Sequence, residues 1–148
     1  MERKQHQVSE VKLIYKNHIK PSDRIFIKEP EDAFGAFWDT WDLEVIEHIE
    51  EMKMLLLNRS NHVLGMVSIS RGGTSGTVID IKLILQYALK ANAHGILLCH
   101  NHPSGNLKPS EADLKNTERV KEACKVVELT FLDHLIITPD GKWKSIDG

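Results

Sequence analysis

The side chains in this sequence best placed to do chemistry are His100 and His102, one residue apart, and Ser110 and Asp113, which follow after a seven-residue loop, Pro103 to Pro109. Neutral imidazoles and a carboxylate are the ligand types that zinc takes in tetrahedral geometry. Residues two apart on a strand project from the same face, so His100 and His102 can share one ion. A catalytic zinc needs three protein ligands and one open position, and Asp113 can supply the third ligand if the loop swings the next helix over the strand end. On a regular strand Cys99 and Asn101 point the other way.

Each piece has an ordinary structural reading. Ser-x-x-Asp at a helix start is a capping-box variant, with Ser110 as N-cap and Asp113 at the third helical position. A His-x-His pair also occurs by chance on surface strands. Taken together, however, two histidines end the apolar run Gly95-Ile96-Leu97-Leu98-Cys99, and an acid sits one loop away at a helix N-terminus. Polar groups at the end of a buried strand are costly unless they have partners.

The elements that must position these residues are readable from periodicity. Val11 to Lys16 alternates in part as a first strand, and Arg24 to Lys28 reads as a second short one. Pro30-Glu31-Asp32 opens a helix. Phe34, Phe37, Trp38 and Trp41 form its apolar stripe, read as core-facing, with a partner-binding patch as the alternative. A second helical run is expected at about Leu43 to Ile49. Met52 to Leu57 and Val63 to Ile69 make a hairpin across Asn58 to His62. Asp80 caps an amphipathic helix ending near Ala91 to Ala93. Gly95 starts the strand that carries the histidines, and Ser110 starts a helix with Leu114, Thr117, Val120 and Ala123 on one face. Thr130 to Thr138 is a further strand containing Asp133-His134, and after the turn Pro139-Asp140-Gly141 the stretch Lys142 to Ile146 is the last. Strands and helices mixed in this way give an α/β (α+β-type) fold, a mixed sheet flanked by helices.

Composition narrows the classes. At 148 residues the chain reads as a single domain, 1–148, able to bury a core without staples. A net charge of -2 provides no basic field, so DNA binding through phosphate contacts is not favoured. Cys99 and Cys124 read as buried free thiols rather than a disulfide framework. No apolar run is long enough to span a bilayer, and Met1 to Glu10 lacks a signal peptide's apolar core, so the expectation is a cytoplasmic protein with no membrane partner. Arg71 to Gly76 is glycine-rich but lacks the Lys of a phosphate-binding loop. The Val11 strand edge or the aromatic helix is available to a homodimer, although nothing requires one.

The spacing His-x-His, seven residues, Ser, two residues, Asp is the JAMM zinc-hydrolase signature. The wider text, Ala-His-Gly-Ile-Leu-Leu-Cys-His-Asn-His-Pro-Ser-Gly and then Pro-Ser-Glu-Ala-Asp, resembles the bacterial RadC branch of the JAB/MPN family. Glu50 ahead of a strand ending Leu57-Asn58, Gly76-Thr77, and Leu132-Asp133-His134 agree with it. The resemblance covers roughly residues 45 to 148, with residues 1–44 as an N-terminal strand and helix extension. It implies a JAB/MPN (cytidine-deaminase-like) architecture, with Zn²⁺ held by His100, His102 and Asp113 and water as fourth ligand. It also implies a glutamate acting as base, for which Glu50 is the best match and Glu51 the rival. Strand alternation puts Glu50 on the face of Met52, Met54 and Leu56 and Glu51 on that of Lys53, but which face carries the site is open. Zinc lowers the pKa of its water from about 15.7 to about 7, Glu50 would shuttle the proton, and Ser110 would donate to the developing oxyanion. The implied substrate is a protein or peptide amide or isopeptide bond. His134 reads either as a support behind a metal ligand or as a satisfied buried histidine.

Two departures from the RadC branch stand out. Residues 1–44 show no helix-hairpin-helix, so a short form is expected, and Val78-Ile79-Asp80-Ile81-Lys82 replaces the usual Val-His-Pro-Arg-Glu. The competing readings are a non-catalytic MPN-like scaffold, which would usually have lost a ligand that this chain retains, and the DNA-repair accessory that the RadC label suggests. The letters His-Asn-His are not an HNH nuclease motif, whose residues are spread over a ββα unit.

Overall fold

The seven residues of the His-bearing strand, β3 (Gly95–Asn101), are all buried, which a near-continuous apolar run allows only at the centre of a sheet covered on both faces. The computed structural model describes residues 7–12, 14–72 and 79–147. After a 3-10 turn at Pro21–Asp23, its elements are α1 (Pro30–Trp38), β1 (Glu51–Leu57), β2 (Val63–Arg71), α2 (Ile81–Lys90), β3, α3 (Glu111–Val126), β4 (Thr130–Ile137) and β5 (Trp143–Ser145). The five strands lie in the order β2-β1-β3-β4-β5. Only β3 and β4 are parallel, joined by α3; the other pairs are antiparallel. This is a mixed-sheet α/β fold.

Side-chain alternation sorts the core into two layers. On one face Met52, Met54 and Leu56 of β1 and Ile96 and Leu98 of β3 pack under Ile84 and Ala88 of α2 and Val120 and Cys124 of α3. On the other, Leu55, Leu57, Leu97, Cys99, Leu135 and Ile137 pack against Ala33, Ala36 and Phe37 of α1, with Trp41 and Ile46 beyond it. His100 continues the parity of Ile96 and Leu98, so it ends its strand on the α2/α3 side with no exposure. Each fully buried Leu or Ile contributes about 1.5–3 kcal/mol, so a histidine in that row must have its polar atoms satisfied. Gly95 is required where β3 begins, because a Cβ there would sit 3.1 Å from Leu132 Cδ1 and 3.3 Å from the Thr130 carbonyl oxygen.

The register carries the site. β1 runs antiparallel to β3 with Met52 opposite His100, so the start of β1 meets the end of β3. The Asp80 side chain caps α2 by accepting from Leu83 N–H.

Three expected elements differ. The described residues of the Val11 to Lys16 stretch form no strand. That arm meets β2 through side chains, with Tyr15 Oη and Asn17 Nδ2 both donating to the Leu64 carbonyl, and it leaves Val11 and Ile14 exposed. Arg24 to Lys28 shrinks to a single bridge, Phe26 opposite His62. Residues 43–48 are a run of turns, not a helix. Leu43 is exposed while Ile46 is buried, and the carbonyls of Ile46 and Ile49 are taken by the Asn101 side chain. From Gly73 to Val78 the expected glycine-rich loop, with Gly76-Thr77 and Val78, lies outside the described residues, as does Leu13 of the first expected strand. Among the described residues no helix is long and apolar enough to cross a membrane.

Candidate metal centre

Three elements deliver the site. His100 closes β3. His102 follows it and is held by its backbone N–H donating to the Ile137 carbonyl at 2.9 Å, which extends the β3/β4 ladder. The chain then turns sharply, with Gly105 N–H donating to the His102 carbonyl at 3.0 Å and Gly105 at φ +84°, a conformation that glycine adopts without strain. Asp113 arrives on the first turn of α3. Ser110 caps that helix: its Oγ accepts from Asp113 N–H at 3.0 Å while Asp113 Oδ2 accepts from Ser110 N–H at 2.8 Å, a reciprocal capping box. The cap therefore fixes the carboxylate's orientation.

The resulting cluster is tight. His100 Nε2 and His102 Nε2 are 2.9 Å apart. Asp113 Oδ1 is 3.3 Å from His100 Nε2 and Oδ2 is 3.2 Å from His102 Nε2. Glu50, just ahead of β1, places Oε1 3.9 Å from His100 Nε2. One ligand atom from each of Glu50, His100, His102 and Asp113 lies within 4.8 Å of all the others.

Proton directions show what this cluster can hold. Thr117 Oγ1 donates its one proton to the Asp113 carbonyl at 2.8 Å, so it must accept from His134 Nδ1, 2.7 Å away. Burial first, and then the neighbouring His100, pull the His134 pKa well below its usual value, so the ring is neutral and its Nε2 is a bare acceptor. That nitrogen is 2.7 Å from His100 Nδ1, which must donate to it. The Nε2 of a neutral His100 is then unprotonated. His102 Nδ1 meets the Asn106 carbonyl at 2.6 Å and must donate to it, so a neutral His102 also presents a bare Nε2. Two lone pairs and a carboxylate thus converge with no donor among them, a set that only a cation satisfies. Two imidazole nitrogens and one carboxylate are a donor set that could hold a metal ion.

A proton is the competing cation. Burial opposes charge on His102, but the Asp113 carboxylate and the Asn106 carbonyl outweigh it and hold the imidazole above its usual pKa. Burial likewise pushes the Asp113 carboxyl up, and His100 and His102, which donate to it when protonated, together with the Ser110 N–H overcome it, holding Asp113 well below the usual carboxylate range.

The sequence-derived candidates fall as follows. His100, His102, Asp113 and Glu50 come together. Glu51 turns to the opposite face and pairs with Arg71 Nε at 2.9 Å. Ser110 sits beside Asp113 with its own hydroxyl proton uncommitted to the cap. His134 stands directly behind His100. Thr117 and Asn106 were missed. A threonine on the otherwise apolar face of α3 was a signal for the first; the second acts through its backbone carbonyl, which leaves no side-chain signature. Neither cysteine takes part: both are buried and free, and burial pushes the Cys124 thiol up to about 11.

Comparison with known proteins places this geometry in context. A family profile described as "RadC-like JAB domain" matches residues 27–148. Curated relatives named UPF0758 protein include one from Flavobacterium johnsoniae, 43% identical over 98 residues, covering 66% of this chain and 43% of the relative. Another from Porphyromonas gingivalis is 46% identical over 96 residues, covering 65% and 42%. One from Aquifex aeolicus is 38% identical over 122 residues, covering 82% and 51%. The chain spans about half the length of these relatives or less.

Proposed function

Since the chain belongs to the RadC-like JAB domain family, we propose that it is a zinc-dependent hydrolase of amide bonds, a JAMM-type metallopeptidase or isopeptidase acting on a protein or peptide. The observation that carries this reading is the convergence of two bare imidazole nitrogens and one carboxylate with a second carboxylate, Glu50, beside them.

In this reading His100, His102 and Asp113 hold the zinc, which when bound supplies Lewis acidity and a water acidic enough to act near neutral pH. Glu50 is close enough to the cluster to take a proton from the attacking water and too far from His100, at 3.9 Å, to be spent on a hydrogen bond to it. It later returns that proton to the leaving amine. Ser110 Oγ, which accepts from Asp113 N–H, keeps its own proton to donate to the oxygen that gains charge in the tetrahedral transition state. His134 and Thr117 hold His100 in the tautomer with a bare Nε2 free to act as a ligand, and the Asn106 carbonyl does the same for His102.

The test is incubation of the zinc-loaded protein with a library of peptide and isopeptide substrates. Zinc-dependent cleavage supports the reading. A protein that binds zinc stoichiometrically and cleaves none of them, at concentrations where a known metallopeptidase does, refutes it in favour of a binding scaffold.

A further inference from the structure

Asn101 stands between the two histidines, and strand alternation turns its side chain to the opposite face of the sheet. It is fully buried. All its bonds go to one distant stretch of backbone. Oδ1 accepts from Glu51 N–H at 2.7 Å. Nδ2 donates to the Ile46 carbonyl at 2.9 Å and to the Ile49 carbonyl at 2.9 Å. The last carbonyl before Glu50 and the first N–H after it are therefore both held by one amide side chain. Glu50's own carbonyl accepts from Gly72 N–H at 3.0 Å, which closes the third side.

We infer that Asn101 is a positioning residue that clamps the peptide groups on either side of Glu50 and so sets that carboxylate against the metal ligands. The inference rests on the role proposed above for Glu50. The stretch it grips is a run of turns rather than a helix, so without Asn101 the buried Ile46 carbonyl, the part-buried Ile49 carbonyl and the buried Glu51 N–H lose these partners. Because Asn101 lies on the same strand as His100 and next to His102, the grip ties the position of Glu50 to the strand that carries the ligands. Asn supplies what the geometry needs, two donors and an acceptor on one planar group. Asp has the same shape but no donors, and Ser is too short to reach both carbonyls.

The experiment compares wild type with Asn101→Ala, Asn101→Asp and Glu50→Gln, and with the Asn101→Ala/Glu50→Gln double variant. Three readouts are taken on folded protein: amide hydrogen exchange at Glu51, zinc affinity by chelator competition, and the visible absorption of the cobalt(II)-substituted protein, which reports groups lying against the ion. The inference requires Glu51 exchange to rise at least tenfold in Asn101→Ala and by less in Asn101→Asp, which keeps an acceptor for that N–H, with zinc affinity within about threefold of wild type in both. It also requires the cobalt spectrum of Asn101→Ala to move toward that of Glu50→Gln, with no further change in the double variant. Unchanged Glu51 exchange in Asn101→Ala overturns it. So does a loss of zinc affinity as large as that of a ligand substitution, or a cobalt spectrum in which the two substitutions add. If Glu50→Gln alone leaves the cobalt spectrum unaltered, the proposed role of Glu50 fails, while exchange and zinc affinity still decide whether Asn101 clamps this segment.

Discussion

His100 Nδ1 donates to His134 Nε2 at 2.7 Å, and the Thr117 hydroxyl behind His134 fixes the direction of that bond. A buried neutral histidine thereby holds another histidine in the tautomer a metal needs. Replacing such a support commonly costs 10–100-fold in metal affinity. His134→Ala should lose zinc affinity by about that range in chelator competition, while His134→Gln, which keeps an acceptor facing His100, should recover part of it. Equal affinities for wild type and His134→Ala would mean that His134 only fills space.

The raised pKa of His102 gives the zinc affinity a defined pH dependence. In the zinc-free protein the Asp113 carboxylate keeps a proton on His102 at pH values where an ordinary histidine has lost it, and zinc must displace that proton. Apparent affinity should fall about tenfold per pH unit below the His102 pKa and level off above it. Asp113, held below the usual carboxylate range, stays charged throughout. A zinc titration repeated from pH 6 to pH 8 checks the slope.

The same shift predicts how the zinc-free protein's stability varies. A histidine whose folded pKa is raised contributes stability that is fully present below its unfolded pKa of about 6.5 and is lost as pH rises through the folded value. His134 works in the other direction: its folded pKa is depressed, so stability falls as pH drops below about 6.5 and only the unfolded chain gains that proton. Thermal unfolding in chelator should therefore lose stability on the alkaline side in wild type, and His102→Asn should flatten that limb while leaving the acid limb in place.

The two adjacent glutamates should separate cleanly. Glu50 faces His100 and Glu51 faces Arg71. Glu50→Gln should lower hydrolysis by about 10²–10⁴-fold, the usual weight of a general base, with zinc still bound. Glu51→Gln removes the partner of a mostly exposed arginine and should change the rate only a few-fold. If Glu51→Gln alone abolishes cleavage, the base has been misassigned.

Ser110 has two tasks that can be read separately. Ser110→Ala should destabilise the protein by about 1 kcal/mol through the lost cap. Its effect on hydrolysis should be larger, about 10²–10³-fold, if the hydroxyl also serves the oxyanion. A rate loss no greater than the cap explains would leave Ser110 as a helix cap alone.

Most of the site was legible in the sequence because its residues are local to one another. His100, His102, Ser110 and Asp113 occupy one strand, one loop and one helix start, and the periodicities of 2 and 3.6 orient them without tertiary information. β1, α2, β3 and β4 were legible for the same reason, each being a run whose burial follows its own pattern. What was not legible depends on distant partners. Leu43 to Ile49 has helical spacing of apolar residues, yet its carbonyls are captured by Asn101 from another strand. Val11 to Lys16 alternates like a strand, but its described residues meet β2 through the Tyr15 side chain, with Asn17 just beyond it. The choice between Glu50 and Glu51 needed to know that α2 and α3 cover the face of Met52 and His100. The support from Thr117 to His134 to His100 joins three elements and becomes visible only once α3 lies across β3 and β4.

The most direct measurement is the metal content of the purified, zinc-reconstituted protein beside His102→Ala, each dialysed and analysed by mass spectrometry for metals. One zinc per chain in wild type and close to none in His102→Ala is the predicted result. Full zinc retention in His102→Ala, or no zinc in folded wild type, would contradict a metal centre built on His100, His102 and Asp113.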